Sequence, residues 1–193
     1  MKEYEELYRL MLREHESVFA AQDQTQLAAA LVEIAAAGRI FVVGAGREGI
    51  AARAFAMRLM HLGKEVHWLW DDTTPGMRAG DLLIAVNGSG AIGHIDYLLD
   101  QTGKTGARRL VITGAPAERT PSEAEAILFV PAMVYKGNDR VRFHQSSRWA
   151  TSLSSISFYC LILSSCCWWS ACMRRHRGWR RVIATLSSVP HLL

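Results

Sequence analysis

The N-terminal part of the chain alternates between helical and buried-strand hydrophobic patterns. In residues 2–20, apolar side chains recur every three or four positions, which predicts an amphipathic helix. A second helix is predicted over residues 25–37, which are rich in Ala and Leu. Residues 39–43 are a short, mostly apolar run, typical of a strand buried on both faces. Helical spacing returns in residues 48–62 and ends at Gly63.

The same alternation continues to about residue 130 and predicts the fold class. Four further strands are expected, over residues 65–70, 81–86, 108–113 and 126–130, with a helix near residues 92–102. Five short strands that alternate with helices or turns predict an α/β fold, with a parallel sheet covered by helices on both faces. In such sheets, ligands bind beyond the carboxyl ends of the strands.

The charge distribution divides the chain near residue 142. The 193 residues have a formal net charge of +4, but all 18 acidic residues and 16 of the 22 Lys and Arg lie in residues 1–142, which therefore net −2. Residues 143–193 hold six Arg, all four Cys and four of the six Trp, and no acidic residue. We therefore predict one folded domain over residues 1–142 and an aberrant tail over residues 143–193.

Targeting and metal signals are weak. The N-terminus is charged and amphipathic rather than a signal peptide, which predicts a cytoplasmic protein with reduced cysteines. Residues 156–169 are too short and too rich in Ser to predict a membrane span. The tail cysteines and His176 lack the paired spacing of structural zinc sites. A basic tail can bind nucleic acid, but no nucleic-acid partner, membrane partner or metal is expected here.

The first candidate site is residues 44–49 (GAGREG), which follow the first strand and open a helix. Glycine allows a tight turn, and a helix N-terminus offers backbone N–H groups to an anion, so Gly46 and Arg47 are candidate phosphate contacts. The string also matches the dinucleotide fingerprint G-x-G-x-x-G, with Asp71 or Asp72 slightly late as the ribose-binding acid. A strand–helix turn without a ligand is the other interpretation.

Residues 87–90 (NGSG) repeat this arrangement after the third strand. The backbone of Gly88 and Gly90 and the hydroxyl of Ser89 are candidates for cradling a phosphate, and a plain turn is the alternative. Both glycine-rich loops follow strands of one parallel sheet, so we expect them at the same edge. Together they predict an anion site more strongly than either loop alone.

Hydroxyl and imidazole side chains supply the remaining candidates. Thr73 and Thr74 follow the second strand, where they would contact a sugar or phosphate, or else cap a turn. His61 lies at the end of a predicted helix and is either a general acid–base or a helix-end cation. His67 and His94 are expected to be surface or packing residues.

These residues resemble the 6-phospho-3-hexuloisomerase family of SIS (sugar isomerase) domain proteins over about residues 5–135. The matching strings are residues 41–47 (FVVGAGR), 54–63 (AFAMRLMHLG), 73–75 (TTP), 80–84 (GDLLI) and 88–90 (GSG). The resemblance implies a flavodoxin-like three-layer sandwich with a five-stranded parallel sheet. It also implies a homodimer or homotetramer with sites shared between subunits. The activity implied is the interconversion of 3-hexulose 6-phosphate and fructose 6-phosphate through a cis-enediol, without a cofactor.

The chain departs from the family near both loops. It has Glu48 where the family usually has Ser, and Ala91 and Ile92 where the family usually has Glu and Thr. Two hydroxyls expected to hold phosphate are therefore missing, and a carboxylate facing the pocket would repel a dianion. These departures favour a second hypothesis, a non-catalytic sugar-phosphate-binding or regulatory SIS protein. A third hypothesis, an NAD-binding oxidoreductase based on the G-x-G-x-x-G string, is disfavoured because it assigns no role to the second loop.

The tail also departs from the family, which ends in strings like QPMGSLFEQ and RHANLE that carry its proposed catalytic Glu and His. We then read the codons implied by the tail in the frame that begins one nucleotide earlier. In that frame, the genetic code permits PMGNLFEQ across residues 147–155, and RHRNVE followed by a stop codon across residues 181–188. We therefore interpret residues 143–193 as a frameshifted translation, with the slip within residues 136–145. In the written sequence, His61 is the remaining acid–base candidate.

Overall fold

The computed structural model describes residues 2–132, which form five helices and five strands. In chain order these are α1 (Lys2–Ala20), α2 (Gln24–Ala36), β1 (Arg39–Gly44), α3 (Gly46–His61), β2 (Glu65–Trp68), β3 (Leu82–Val86), α4 (Gly93–Lys104), β4 (Arg108–Thr113), α5 (Arg119–Ser122) and β5 (Ala126–Phe129). Predictions about the tail, its cysteines and the boundary at residue 142 lie outside these residues.

All five strands pair in parallel, in the order β2-β1-β3-β4-β5. The predicted five-stranded parallel sheet is therefore confirmed. β1 is hydrogen-bonded to β2 on one side and to β3 on the other, so the chain reverses its direction of winding between β1 and β3. Loops that follow two such strands leave a crevice at the carboxyl edge, which is where ligands bind in this class of sheet.

The sheet is buried on both faces because successive strand residues point in opposite directions. Ile40 and Val42 of β1 lie in one core with residues of α1, α2 and α3. Phe41 and Val43 lie in a second core with Ile95 of α4. Two cores on either side of one sheet make the three-layer sandwich, and they explain why the strands read as apolar runs.

Most element boundaries differ from prediction by two residues or fewer. β2 ends at Trp68 rather than at residue 70, because the Asp71 N–H bonds the Trp68 carbonyl at 3.0 Å and starts a turn. α3 begins at Gly46 rather than at residue 48. α5 was not predicted, because four residues are too few to show a helical period.

No helix within residues 2–132 is long and apolar enough to cross a membrane. The same residues contain no group of three or more His, Cys, Asp or Glu side chains placed to hold a metal ion.

Candidate functional site

The two glycine-rich loops lie side by side at the carboxyl edge of the sheet. Gly44, the last residue of β1, pairs in register with Val86, the last residue of β3. The loops also touch directly, since the Gly88 N–H donates a hydrogen bond to Glu48 Oε2 at 2.7 Å. The topology thus brings together two segments that are 40 positions apart in the chain.

Glycine is needed at two positions of the first loop for different structural reasons. Gly46 has a φ of 54°, in the left-handed region that favours glycine. A Cβ on Gly49 would lie 2.7 Å from the Gly44 carbonyl oxygen, so Gly49 allows α3 to pack directly against β1. The third glycine of the G-x-G-x-x-G string is therefore explained by helix–strand packing without a dinucleotide.

The second loop is a turn held by the side chain of Asn87. Asn87 Oδ1 accepts hydrogen bonds from the Gly90 N–H at 3.1 Å and from the Ser89 hydroxyl at 3.3 Å. The Gly88 carbonyl accepts the Gly114 N–H at 3.1 Å. The turn is therefore fixed from inside the protein, while Ser89 remains partly exposed at the edge.

A buried polar network supports this turn from α4 and α5. Asn87 Nδ2 donates to the Thr120 hydroxyl at 2.8 Å, and that hydroxyl donates to Asp96. Arg119 pairs with Asp96, with Nε 2.9 Å from Oδ2, and the Thr120 N–H donates to the Gly90 carbonyl at 2.8 Å. Sequence analysis missed Asn87, Asp96 and Thr120 as supporting residues, because their contacts span 23 to 33 positions.

Glu48 is an acidic residue that joins the two loops through its hydrogen bond to Gly88. Burial raises the pKa of its carboxyl, while the hydrogen bond from Gly88 and the charge of Arg47 act to lower it. Glu48 lies in the first turn of α3, where backbone N–H groups lack intrahelical partners and the helix dipole favours negative charge. Its carboxylate thus bonds the Gly88 N–H, a group that the sequence analysis assigned to phosphate.

The two threonines lie in the turn after β2. The Thr74 hydroxyl donates to the Trp68 carbonyl at 2.8 Å, and the Thr74 N–H donates to the Asp71 carbonyl at 3.0 Å. Thr74 therefore caps this turn, as the alternative interpretation expected. Thr73 is exposed in the same turn. Both remain at the carboxyl edge, because β2 runs parallel to β1.

The histidines are distributed over different parts of the fold. His61 is the exposed last residue of α3, so the 1.5 Å rise per residue puts it about 22 Å from Gly46 within one chain. His67 stacks on Phe41, with ring centroids 5.1 Å apart. His94 is exposed in the first turn of α4, with its ring 6.2 Å from that of Trp70. Trp70, which follows β2, and His94 form an aromatic pair that the sequence analysis did not identify.

Known proteins resemble the chain in both sequence and fold. The 3-hexulose-6-phosphate isomerase of Mycobacterium gastri is 41% identical over 113 residues, which cover 58% of this chain and 57% of that protein. The chain therefore spans little more than half the length of the curated relatives it matches.

Solved structures support the fold, and a family model shows which family the chain belongs to. A Methanococcus jannaschii protein with an inferred function of 3-hexulose-6-phosphate isomerase has a TM-score of 0.64 at 22% identity, covering 96% of this chain and 97% of that chain. The sugar isomerase domain of an RpiR transcription factor from Sphaerobacter thermophilus has a TM-score of 0.63 at 17% identity, covering 95% and 96%. The SIS domain model matches residues 33–138, more than half of the sequence, and the chain therefore belongs to the SIS domain family.

Proposed function

We propose that this chain is a sugar-phosphate isomerase that interconverts 3-hexulose 6-phosphate and fructose 6-phosphate. The observation that carries the proposal is the pair of glycine-rich loops, residues 44–49 and 87–90, in contact at the edge where the sheet reverses its winding. The similarity to the Mycobacterium gastri enzyme supports this substrate class. The reaction needs no cofactor, because it only transfers protons. In the direction of fructose 6-phosphate, one proton moves from C2 to C3 and another moves from O2 to O3.

The phosphate is assigned to the two loops. Gly46 and Arg47 open α3, and the turn with Gly88, Ser89 and Gly90 lies beside them. The guanidinium of Arg47 is exposed and makes no hydrogen bond or ion pair with the other described residues, 2–132, which supports its assignment to the phosphate. Holding the phosphate would position the sugar along the edge, toward the hydroxyls of Thr73 and Thr74.

His61 is assigned to the site of a neighbouring subunit, since it lies too far from the loops of its own chain. α3 carries an exposed apolar stripe, formed by Ile50, Met57 and Met60, whose side chains are 68%, 51% and 50% exposed. This stripe runs along the helix to His61. A second copy that covers the stripe would bring His61 to the interface, which supports a homodimer or homotetramer with shared sites.

Isomerisation of fructose 6-phosphate by the full-length chain tests the proposal. We expect little or no turnover by the chain as written, turnover once residues 143–193 are restored to the unshifted frame, and loss of that turnover in both His61→Gln and Arg47→Ala of the restored chain. Because the two residues would act in one site from different subunits, mixing the two inactive variants should restore part of the activity. His15→Gln, which changes a histidine on α1 instead, is the matched control and should retain activity.

The second candidate function is a non-catalytic sugar-phosphate-binding or regulatory protein. The contact between Glu48 and the Gly88 N–H favours it, because this group is then bonded within the protein. The sugar isomerase domain of the RpiR transcription factor shares the fold. Saturable binding of fructose 6-phosphate without turnover, in protein of verified mass, would favour this function over the isomerase.

We also propose that residues 143–193 are translated in a shifted frame. The family match ends at residue 138, within a few residues of the composition change, which supports this interpretation. Sequencing the coding DNA from codon 130 to the stop tests it. A corrected frame that encodes PMGNLFEQ and RHRNVE would supply the missing catalytic carboxylate and histidine of a cytoplasmic isomerase. Confirmation of the written tail would favour the non-catalytic function.

A further inference from the structure

We infer that Glu48 is a specificity-determining residue that competes with a ligand's phosphate for the Gly88 N–H, and so lowers the affinity of the site for phosphate dianions. The inference rests on the proposed function, because it concerns the phosphate site which that function requires.

The first step is the geometry of the donor. The Gly88 N–H donates to Glu48 Oε2 at 2.7 Å, the length of a charge-assisted hydrogen bond. The carbonyl of Gly88 accepts a hydrogen bond from the Gly114 N–H, and the preceding residue, Asn87, is fully buried. The backbone of Gly88 is therefore held through both its N–H and its carbonyl, and the N–H is already bonded to the carboxylate of Glu48.

The second step is the electrostatic environment. The first turn of α3 offers backbone N–H groups, and Arg47 adds a full positive charge beside them. A carboxylate in this position substitutes for one negative oxygen of a phosphate, and it gains the same dipole and charge interactions. Glu48 is thus an anion that the chain itself places among the groups that would bind the ligand's anion.

The third step is the consequence for a ligand. A phosphate dianion bound to the same donors would lie within contact distance of a like charge, which opposes binding. It can bind well only if Glu48 leaves Gly88, and that step breaks a charge-assisted hydrogen bond. A neutral sugar has no such repulsion. Glu48 should therefore reduce the preference of the site for fructose 6-phosphate over fructose.

Calorimetric titration of the full-length chain with inorganic phosphate, fructose 6-phosphate and fructose at pH 8 and constant ionic strength tests the inference. Glu48→Gln keeps an acceptor for Gly88 but removes the charge, and Glu48→Ser supplies a hydroxyl. We expect both to bind phosphate and fructose 6-phosphate about tenfold tighter or more, with fructose unchanged. Glu123→Gln removes one charge from an exposed position at the end of α5, and should change these affinities less than about twofold.

The outcomes separate this inference from the proposed function. Tighter phosphate binding by both Glu48 variants without any turnover would support the inference and count against the isomerase. Turnover by the unaltered chain, with phosphate affinity unchanged in both variants, would overturn the inference and leave the isomerase standing. Failure of every variant to bind phosphate would overturn the inference as well. Thermal unfolding of each variant establishes that the compared proteins are folded.

Discussion

The amide of Asn87 donates a hydrogen bond of 2.8 Å to the hydroxyl of Thr120, 33 positions further along the chain. Both side chains are fully buried, and the same hydroxyl donates onward to Asp96. One buried hydroxyl thus connects the second glycine-rich loop to α4 and α5. The shape of a loop at the edge of the sheet therefore depends on a residue that lies behind it.

Thr120→Val should reduce both stability and ligand binding. The substitution keeps the volume but leaves Asn87 Nδ2 and one oxygen of Asp96 without their partner, at a cost of about 1–3 kcal/mol in the free energy of unfolding. Because the turn is then less well positioned, KM for fructose 6-phosphate should rise more than kcat falls. Urea denaturation and steady-state kinetics measure the two effects.

Thr102→Val is the matched control for that experiment. Thr102 is also fully buried, but its hydroxyl donates to the Leu98 carbonyl within α4 and does not touch the loop. We expect a smaller loss of stability and no change in KM. Equal effects of Thr102→Val and Thr120→Val on KM would contradict a specific role for the network around Asn87.

Gly49→Ala should destabilise the fold by about 1–3 kcal/mol, the usual cost of overpacking a close contact. The added Cβ would lie 2.7 Å from the Gly44 carbonyl oxygen, and backbone cannot move aside as a flexible side chain can. Gly93→Ala is the control, since Gly93 is also helical and a Cβ there meets nothing within 4 Å. Thermal melts in which both variants match the unaltered chain would show that the contact between β1 and α3 is not tight.

The ion pair between Arg39 and Asp81 should make stability depend on pH in acid. Burial acts to raise the pKa of Asp81, but hydrogen bonds from Arg39 and from the Arg78 N–H outweigh it and hold the pKa below its ordinary value. The contribution is therefore complete above about pH 4, the pKa of an unfolded Asp, and is lost as the pH falls through the lower folded value.

Asp81→Asn tests this directly by urea denaturation from pH 7 to pH 2.5. The variant should be less stable than the unaltered chain at pH 7, and the difference should shrink below pH 4. Asp100→Asn removes an exposed partner of Lys104 and should have little effect at any pH, because exposed pairs contribute little. A difference that stays constant across the whole range would show that the charge of Asp81 is not what stabilises the fold.

Met57→Glu should weaken self-association. It places a charge in the middle of the exposed apolar stripe on α3, where a neighbouring copy would have to bury it. Light scattering after gel filtration should show a smaller species, with circular dichroism unchanged and isomerase activity lost. Val32→Glu, a similar change at an exposed position of α2, should leave the mass unchanged, and an unchanged mass in both variants would place the subunit interface elsewhere.

The sequence predicts the fold well because its main signals are local. The apolar run at residues 39–43 and the glycine after it identify β1 and its turn without knowledge of the rest of the chain. The site is less predictable, because its contacts are distant. No pattern around Glu48 indicates that its side chain points to Gly88, and nothing around Asn87 indicates Thr120 as its partner. Thr74 shows the same limit, since only the structure shows that its hydroxyl bonds the Trp68 carbonyl.

The length of α3 has a consequence for any assembly of this chain. One end of the helix carries Gly46 and the other carries His61. If His61 acts in the site of a neighbouring subunit, a single helix would contribute residues to two active sites. The helix length of about 22 Å would then set the distance between neighbouring sites. Inserting or deleting a single residue would turn His61 by about 100° around the helix axis. The number of residues in α3 would thus be constrained as tightly as their identity.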